Sequence, residues 1–198
     1  LINTDSEEEG EIYMGCAGGI DFITCLPLER ELPPAGYHTL KLTIKGLKGG
    51  HSGCDIHLGL GNANKLLARF LFEQAKALDI RILDLNGGTL RNAIPREAFA
   101  TLSLPAANVE QLKALSQDYL AVLKNELSAV EKNVTVLVEA SDSNEHPLTQ
   151  DSRDRLLALL NATPNGVIRM SDEVKGVVET SLNLGVVTME DDHAEIIC

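Results

Sequence analysis

The order in which the hydrophobic period changes between residues 36 and 140 constrains the fold most. Over residues 36–45 the period is two, because Leu40, Leu42 and Ile44 alternate with polar residues. Such alternation predicts a strand with one buried and one exposed face, as in antiparallel sheets. Over residues 62–78 the apolar residues recur at helical spacing instead, which predicts an amphipathic helix.

The remainder of this region repeats the two patterns. Strands are predicted at 81–85, 98–104 and 134–138, and a second amphipathic helix begins after Asn108. We expect Asn108 to cap that helix, with Gln111 completing a capping box. The predicted order is strand, helix, strand, strand, helix, strand, which is the ferredoxin-like βαββαβ arrangement. We therefore expect an α/β (α+β) fold, with an antiparallel sheet and its helices on one face.

The segments on either side predict further units. Pro33-Pro34 interrupts any regular element, so residues 1–34 are interpreted as the end of another domain and a linker. Residues 35–140 form the ferredoxin-like unit. Residues 141–198 contain a predicted helix at 151–160 and strands at 179–188 and 194–198, which we interpret as the truncated start of a second such unit. Both ends fall within patterned segments, so we expect a piece of a longer protein.

Charge and cysteine content exclude several classes of protein. There are 17 Lys and Arg against 29 Asp and Glu, a net charge of −12, which disfavours a nucleic-acid partner. No stretch approaches the roughly 20 apolar residues that cross a bilayer, so no membrane partner is expected. The four cysteines are far apart without a CxxC pair. A disulfide framework is therefore not expected, and a reducing cytoplasmic location fits better.

Asp5 is the first candidate site residue. It follows a predicted strand and precedes an acidic run that ends at Glu9. A carboxylate at the carboxyl end of a strand is suited to bind a metal or to act in catalysis. An acidic surface turn explains the same composition, and no HxxxH or HxD spacing accompanies Asp5.

His51 and Asn92 are the other candidates. His51 lies in a glycine-rich loop after a strand, where an imidazole could donate a hydrogen bond to a developing oxyanion or bind a metal. Asn92 precedes Ile94-Pro95 and could present its amide to a ligand. The alternatives are a surface histidine in a glycine-rich turn and an ordinary hairpin connection. The surroundings of the serines lack a GxSxG pattern, which excludes a serine hydrolase of that type.

Four motifs together resemble the aminoacylase/carnosinase family of di-zinc exopeptidases, and most closely its dipeptidase branch. They occur in the family's order along the whole chain. The motifs are Asn3-Thr4-Asp5-Ser6-Glu7-Glu8, Gly49-Gly50-His51-Ser52-Gly53, Asn92-Ala93-Ile94-Pro95 and Val178-Glu179-Thr180-Ser181-Leu182-Asn183. The resemblance implies that residues 1–34 end a zinc-binding catalytic domain and that the rest is mainly its lid.

The resemblance also implies a role for each candidate. Asp5 matches a metal ligand, His51 matches the lid histidine that stabilises the tetrahedral intermediate, and Asn92 matches a lid residue that contacts substrate. Two zinc ions are implied for the parent protein, with cobalt or manganese as alternatives. The remaining ligands and the general base have no counterpart in this sequence, so we expect the fragment alone to be inactive.

The function implied for the parent is hydrolysis of Xaa-His dipeptides such as carnosine-like substrates. A homodimer is expected, because lid domains of this family often mediate dimers and an open sheet edge can pair with a second copy. Two alternatives remain open. The chain could act only in oligomerisation, or its parent could be an acyl-amino-acid hydrolase or tripeptidase of the same family.

Overall fold

The computed structural model of the protein describes residues 9–12 and 18–198. The α-helices in these residues are α1 Ala63–Gln74, α2 Val109–Glu126 and α3 Gln150–Ala162. The strands are β1 Ile23–Pro27, β2 Tyr37–Lys45, β3 Gly50–His51, β4 Arg81–Gly87, β5 Ala93–Ile94, β6 Ala98–Pro105, β7 Thr135–Ala140, β8 Gly166–Met170, β9 Val178–Leu182, β10 Val186–Met189 and β11 His193–Ile197.

Seven strands form one antiparallel sheet in the order β1-β11-β10-β4-β6-β2-β7. Within it, β4-β6-β2-β7 with α1 and α2 form the predicted ferredoxin-like unit. Strand β2 is central to this unit, since it pairs with β6 on one side and with β7 on the other. The predicted fold class is confirmed.

The helices bury the apolar side of this sheet. Leu40, Leu42 and Ile44 of β2 are buried in a core that also contains Phe70 of α1 and Leu123 of α2. This is the face that period-two alternation assigned to the interior. The polar residues of β2 alternate with these on the opposite face of the strand. Thr43 is one of them and is nevertheless buried.

Residues beyond 140 join the same core. Helix α3 packs against α1, and Leu156, Leu157 and Leu160 are buried with it. Lys65 of α1 places its Nζ 2.6–2.9 Å from three carbonyl oxygens at the carboxyl end of α3, where a cation is favoured. Burial lowers the pKa of Lys65. The predicted division of the chain at residues 34 and 140 stays a prediction.

Two local predictions were wrong. The strand predicted at 179–188 is two strands, because residues 183–185 leave β9 paired with β8 outside the main sheet and start β10 inside it. Asn108 is the N-cap residue of α2, but its side chain makes no capping hydrogen bond. Its Nδ2 donates to the carbonyl of Leu78 at 3.0 Å, so a tertiary contact replaces the local one.

No helix in the described part of the chain is long and apolar enough to cross a membrane. Among the same residues, Cys25, Cys54 and Cys198 are free.

Candidate functional site around His51 and Asn92

The backbones of His51 and Asn92 are brought together by a short antiparallel ladder. Strand β3 pairs with β5, with His51 opposite Ala93 and Gly50 opposite Ile94. The amide of Ser52 donates to the carbonyl of Asn92 at 2.9 Å. The two predicted lid residues, 41 positions apart in sequence, therefore belong to one structural unit.

A tight turn around His51 fixes which ring nitrogen is available. Nδ1 accepts hydrogen bonds from the backbone amides of Gly53 at 3.0 Å and Cys54 at 3.3 Å. A nitrogen that accepts two N–H groups carries no proton in the neutral ring, which assigns the hydrogen to Nε2. The side chain is exposed, so Nε2–H is a donor that a ligand could use.

Asp55 holds the backbone of the same turn. Its Oδ2 accepts the amide of His51 at 2.8 Å, and its own amide donates to the carbonyl of His51 at 2.8 Å. A Cβ on Gly50 would lie 2.8 Å from Asp55 Oδ2, and one on Gly53 would lie 3.2 Å from His51 Cε1. Both glycines therefore allow close approaches that a side chain would disturb.

Glu131 closes the base of the loop that carries His51, and sequence reasoning missed it. Its carboxylate accepts the amide of Lys48 at 2.9 Å and that of Gly61 at 3.0 Å, one on each side of the turn. The residue is 2% exposed. A glutamate after a helix gives no sequence signal that it is buried, because its partners lie 83 and 70 positions away.

Asn92 presents an exposed side chain at the other side of the ladder. A cavity of about 410 Å³ lies against the ladder and is lined in part by Gly50, Ala93 and Ile94. His51 and Asn92 are not among its lining residues. The cavity therefore adjoins the two candidates without containing them.

Asp5, the predicted metal ligand, lies outside the described residues, as do Glu7 and Glu8. Among the residues that are described, no group of three or more His, Cys, Asp or Glu side chains could hold a metal ion. The described part of the chain therefore does not fit the two zinc ions by itself.

Comparison with known proteins shows what the residues around this site are similar to. Residues 42–131 match the M20 peptidase dimerisation domain. The whole chain is 64% identical to the cytosol non-specific dipeptidase of Escherichia coli (strain K12) and spans 41% of its length. The crystal structure of aminoacylhistidine dipeptidase from Vibrio alginolyticus superposes with a TM-score of 0.94 at 53% identity, covering 98% of this chain and 40% of that one.

These matches confirm the resemblance predicted from the four motifs. The chain spans about two fifths of the length of each of these two relatives, and the domain match begins within β2 and ends shortly after α2. Residues 42–131, which contain both His51 and Asn92, are therefore similar to the M20 peptidase dimerisation domain.

Proposed function

We propose that the complete protein is a metal-dependent dipeptidase and that this chain supplies its lid and dimerisation region. The observation that carries the proposal is the exposed His51 ring, whose Nδ1 accepts two backbone amides and so leaves Nε2–H as its donor. The names of the two relatives, a non-specific dipeptidase and an aminoacylhistidine dipeptidase, support the reaction class.

His51 acts on the oxygen of the scissile carbonyl in this proposal. That oxygen gains negative charge when the carbonyl carbon becomes tetrahedral, and a donor held in advance stabilises the charge. The turn provides such a donor, because the hydrogen bonds to Nδ1 fix both the tautomer and the ring orientation. The side-chain amide of Asn92, the residue just before the paired strand β5, contacts the substrate and orients it.

The metal belongs to residues other than those described. We propose two zinc ions, with Asp5 as one ligand and cobalt or manganese as alternatives, in a catalytic domain whose end is residues 1–34. Residues 35–140 are the lid unit, and 141–198 begin a second unit. The roles argued for His51 and Asn92 depend on their own hydrogen-bonding groups and not on coordination of a metal.

The proposed substrates are dipeptides, Xaa-His among them, and the proposed location is the cytoplasm. The test is hydrolysis of β-alanyl-histidine and glycyl-histidine by the full-length protein, with and without a chelator. A dipeptide without histidine, a tripeptide and an N-acetyl amino acid are assayed beside them. Chelator-sensitive cleavage of the dipeptides is expected. If only the N-acetyl amino acid or the tripeptide is cleaved, the dipeptidase assignment is wrong.

His51→Ala in the full-length protein tests the role of the ring. We expect kcat to fall about 10²–10³-fold, the usual loss for one oxyanion donor, while bound metal measured by elemental analysis stays unchanged. Loss of metal instead would show that His51 is a ligand.

Asn92→Ala should raise KM or lower kcat without changing the fold, and an unchanged kcat/KM would remove Asn92 from the site.

Dimerisation is the second proposed function, and the open edge of β7 favours it. The amide of Ser141 donates to the carbonyl of Thr39, and hydrogen-bonded pairs alternate along an antiparallel ladder. The amides of Leu137 and Glu139 therefore face β2, while that of Val138 faces away from the sheet. A second copy can pair with this edge about a two-fold axis.

A further inference from the structure

Asn183 lies where the chain leaves β9 and enters β10, and it is 7% exposed. Its Nδ2 is 2.9 Å from the carbonyl oxygen of Ala93 and 3.4 Å from that of Arg91. These two carbonyls belong to the residues on either side of Asn92. The side-chain amide therefore spans the segment that presents Asn92.

A second asparagine fixes the orientation of this amide. Asn183 Oδ1 accepts a hydrogen bond from Asn62 Nδ2 at 3.3 Å. Asn62 is 3% exposed and caps α1, its own Oδ1 accepting the amide of Lys65 at 3.1 Å. Because carbonyl oxygens only accept, Nδ2 of Asn183 must face Ala93 and Arg91.

Beside these hydrogen bonds, the backbone of Gly185 lies directly against the backbone of Gly88 and Arg91. A Cβ on Gly88 would lie 1.9 Å from the carbonyl oxygen of Gly185, and one on Gly185 would lie 2.9 Å from that of Arg91. No side chain fits between them. Residues 183–185 thus set the position of residues 91–93, and the hydrogen bonds of Asn183 set the orientation of that segment.

The β3–β5 ladder links the segment held by Asn183 to His51. Ala93 pairs with His51 across the ladder, and the carbonyl of Asn92 accepts the amide of Ser52 at 2.9 Å. We infer that Asn183 is a positioning residue, which holds the 91–93 segment so that Asn92 and His51 keep their relative placement. Its consequence for turnover rests on the proposed dipeptidase function. A displacement of about 1 Å at such a site can cost 10²-fold in rate.

The test is Asn183→Asp in the full-length protein. This variant keeps the shape and the acceptor toward Asn62, but turns a carboxylate oxygen toward the carbonyls of Ala93 and Arg91. The matched control is Asn165→Asp. Asn165 Oδ1 accepts from Asn62 Nδ2 at 2.8 Å and from the amide of Leu184 at 3.0 Å, so the control adds the same charge and keeps both contacts.

Two readouts separate positioning from general destabilisation. Hydrogen-exchange mass spectrometry should show faster exchange in peptides covering 50–54 and 90–95 for Asn183→Asp and not for the control. The value of kcat/KM for the dipeptide should fall about 10–100-fold for Asn183→Asp. In an Asn92→Ala background the same change should cost less than about 3-fold, because residues that act together are not additive.

An equal loss of kcat/KM in the wild-type and Asn92→Ala backgrounds would overturn the inference. So would hydrogen exchange and kcat/KM in Asn183→Asp that match those of the Asn165→Asp control. If the wild type cleaves none of the substrates but Asn183→Asp still speeds exchange in those peptides, the proposed function fails and the positioning stands. If Asn183→Asp does not fold, Asn183→Ser takes its place and is compared with the wild type, since serine loses the reach to Ala93 without adding charge.

Discussion

At the scale of single residues, the site depends on backbone groups that hold side chains in place. The imidazole of His51 is oriented by two amides of its own turn, and its backbone by the carboxylate of Asp55. These hydrogen bonds hold the imidazole and the backbone of His51 in one arrangement, so that Nε2–H is a donor held in advance.

Gly53→Ala tests this orientation. The added Cβ would lie 3.2 Å from Cε1 and 3.3 Å from Nδ1 of His51, so the ring must shift by a few tenths of an ångström and its hydrogen bonds to the turn weaken. We expect kcat to fall about 10-fold or more while Tm changes little. Gly19→Ala is the control, because a Cβ there has no atom within 4 Å. Equal kcat for the two variants would contradict the role of the turn.

A second prediction at this scale concerns pH and Asp84 on β4. Burial raises the pKa of this carboxyl above its usual value, while a hydrogen bond from Asn86 opposes the shift. A raised folded-state pKa gives stability that is complete below the unfolded pKa and is lost as pH rises through the folded one.

Asp84→Asn removes that pH dependence. The Tm of the variant minus that of the wild type should therefore be small near pH 3.5 and should increase by pH 7. Thermal denaturation across this range measures the difference. A difference that stays constant, or shrinks toward pH 7, would show that Asp84 is not penalised by burial.

At the scale of elements, the loop carrying His51 is held by the segment after α2. Glu131→Gln replaces one carboxylate oxygen by an NH₂ group that cannot accept the amide of Lys48 or Gly61. A buried donor then loses its partner, which costs about 1–3 kcal/mol. We expect a lower Tm and faster hydrogen exchange in residues 46–62.

The control for this change is Glu126→Gln on α2. Glu126 forms a partly exposed ion pair with Arg69 at 2.9 Å, and such pairs contribute about 0–1 kcal/mol. Its Tm should stay near that of the wild type, without faster exchange in the loop. A larger loss of stability in Glu126→Gln than in Glu131→Gln would contradict the role of Glu131 in holding the loop.

At the scale of the whole molecule, the main sheet has two outer strands, β7 and β1. Val138→Pro removes an amide that faces away from the sheet, and proline is tolerated on an edge. If two copies pair through β7, sedimentation of the full-length variant should show more monomer at a given concentration than the wild type.

Cys25→Pro is the matched control. The amide of Phe22 donates to the carbonyl of Cys198 and the reverse bond is also present, so the amide of Cys25 faces away from β11 at the other edge. This variant should sediment like the wild type. Dissociation by Cys25→Pro and not by Val138→Pro would move the interface to β1.

The sequence by itself determined the ferredoxin-like unit and the two lid candidates. Alternation in β2 and the helical stripe in α1 are local patterns that report burial directly, so the order of elements along the chain and the fold class could be predicted from such patterns. His51 and Asn92 were found because each lies in a short motif next to glycine or proline.

Only the tertiary structure decided which distant segments support those candidates. Glu131 and Asn183 depend on partners 70 or more positions away, and a period or a motif carries no signal of such contacts. The split between β9 and β10 likewise depends on which strands the packing pairs with each of them. A buried polar group is fixed by whichever backbone amide or carbonyl the packing brings to it. The placement of His51 and Asn92 is therefore a property of the folded sheet, although both residues are candidates from the sequence alone.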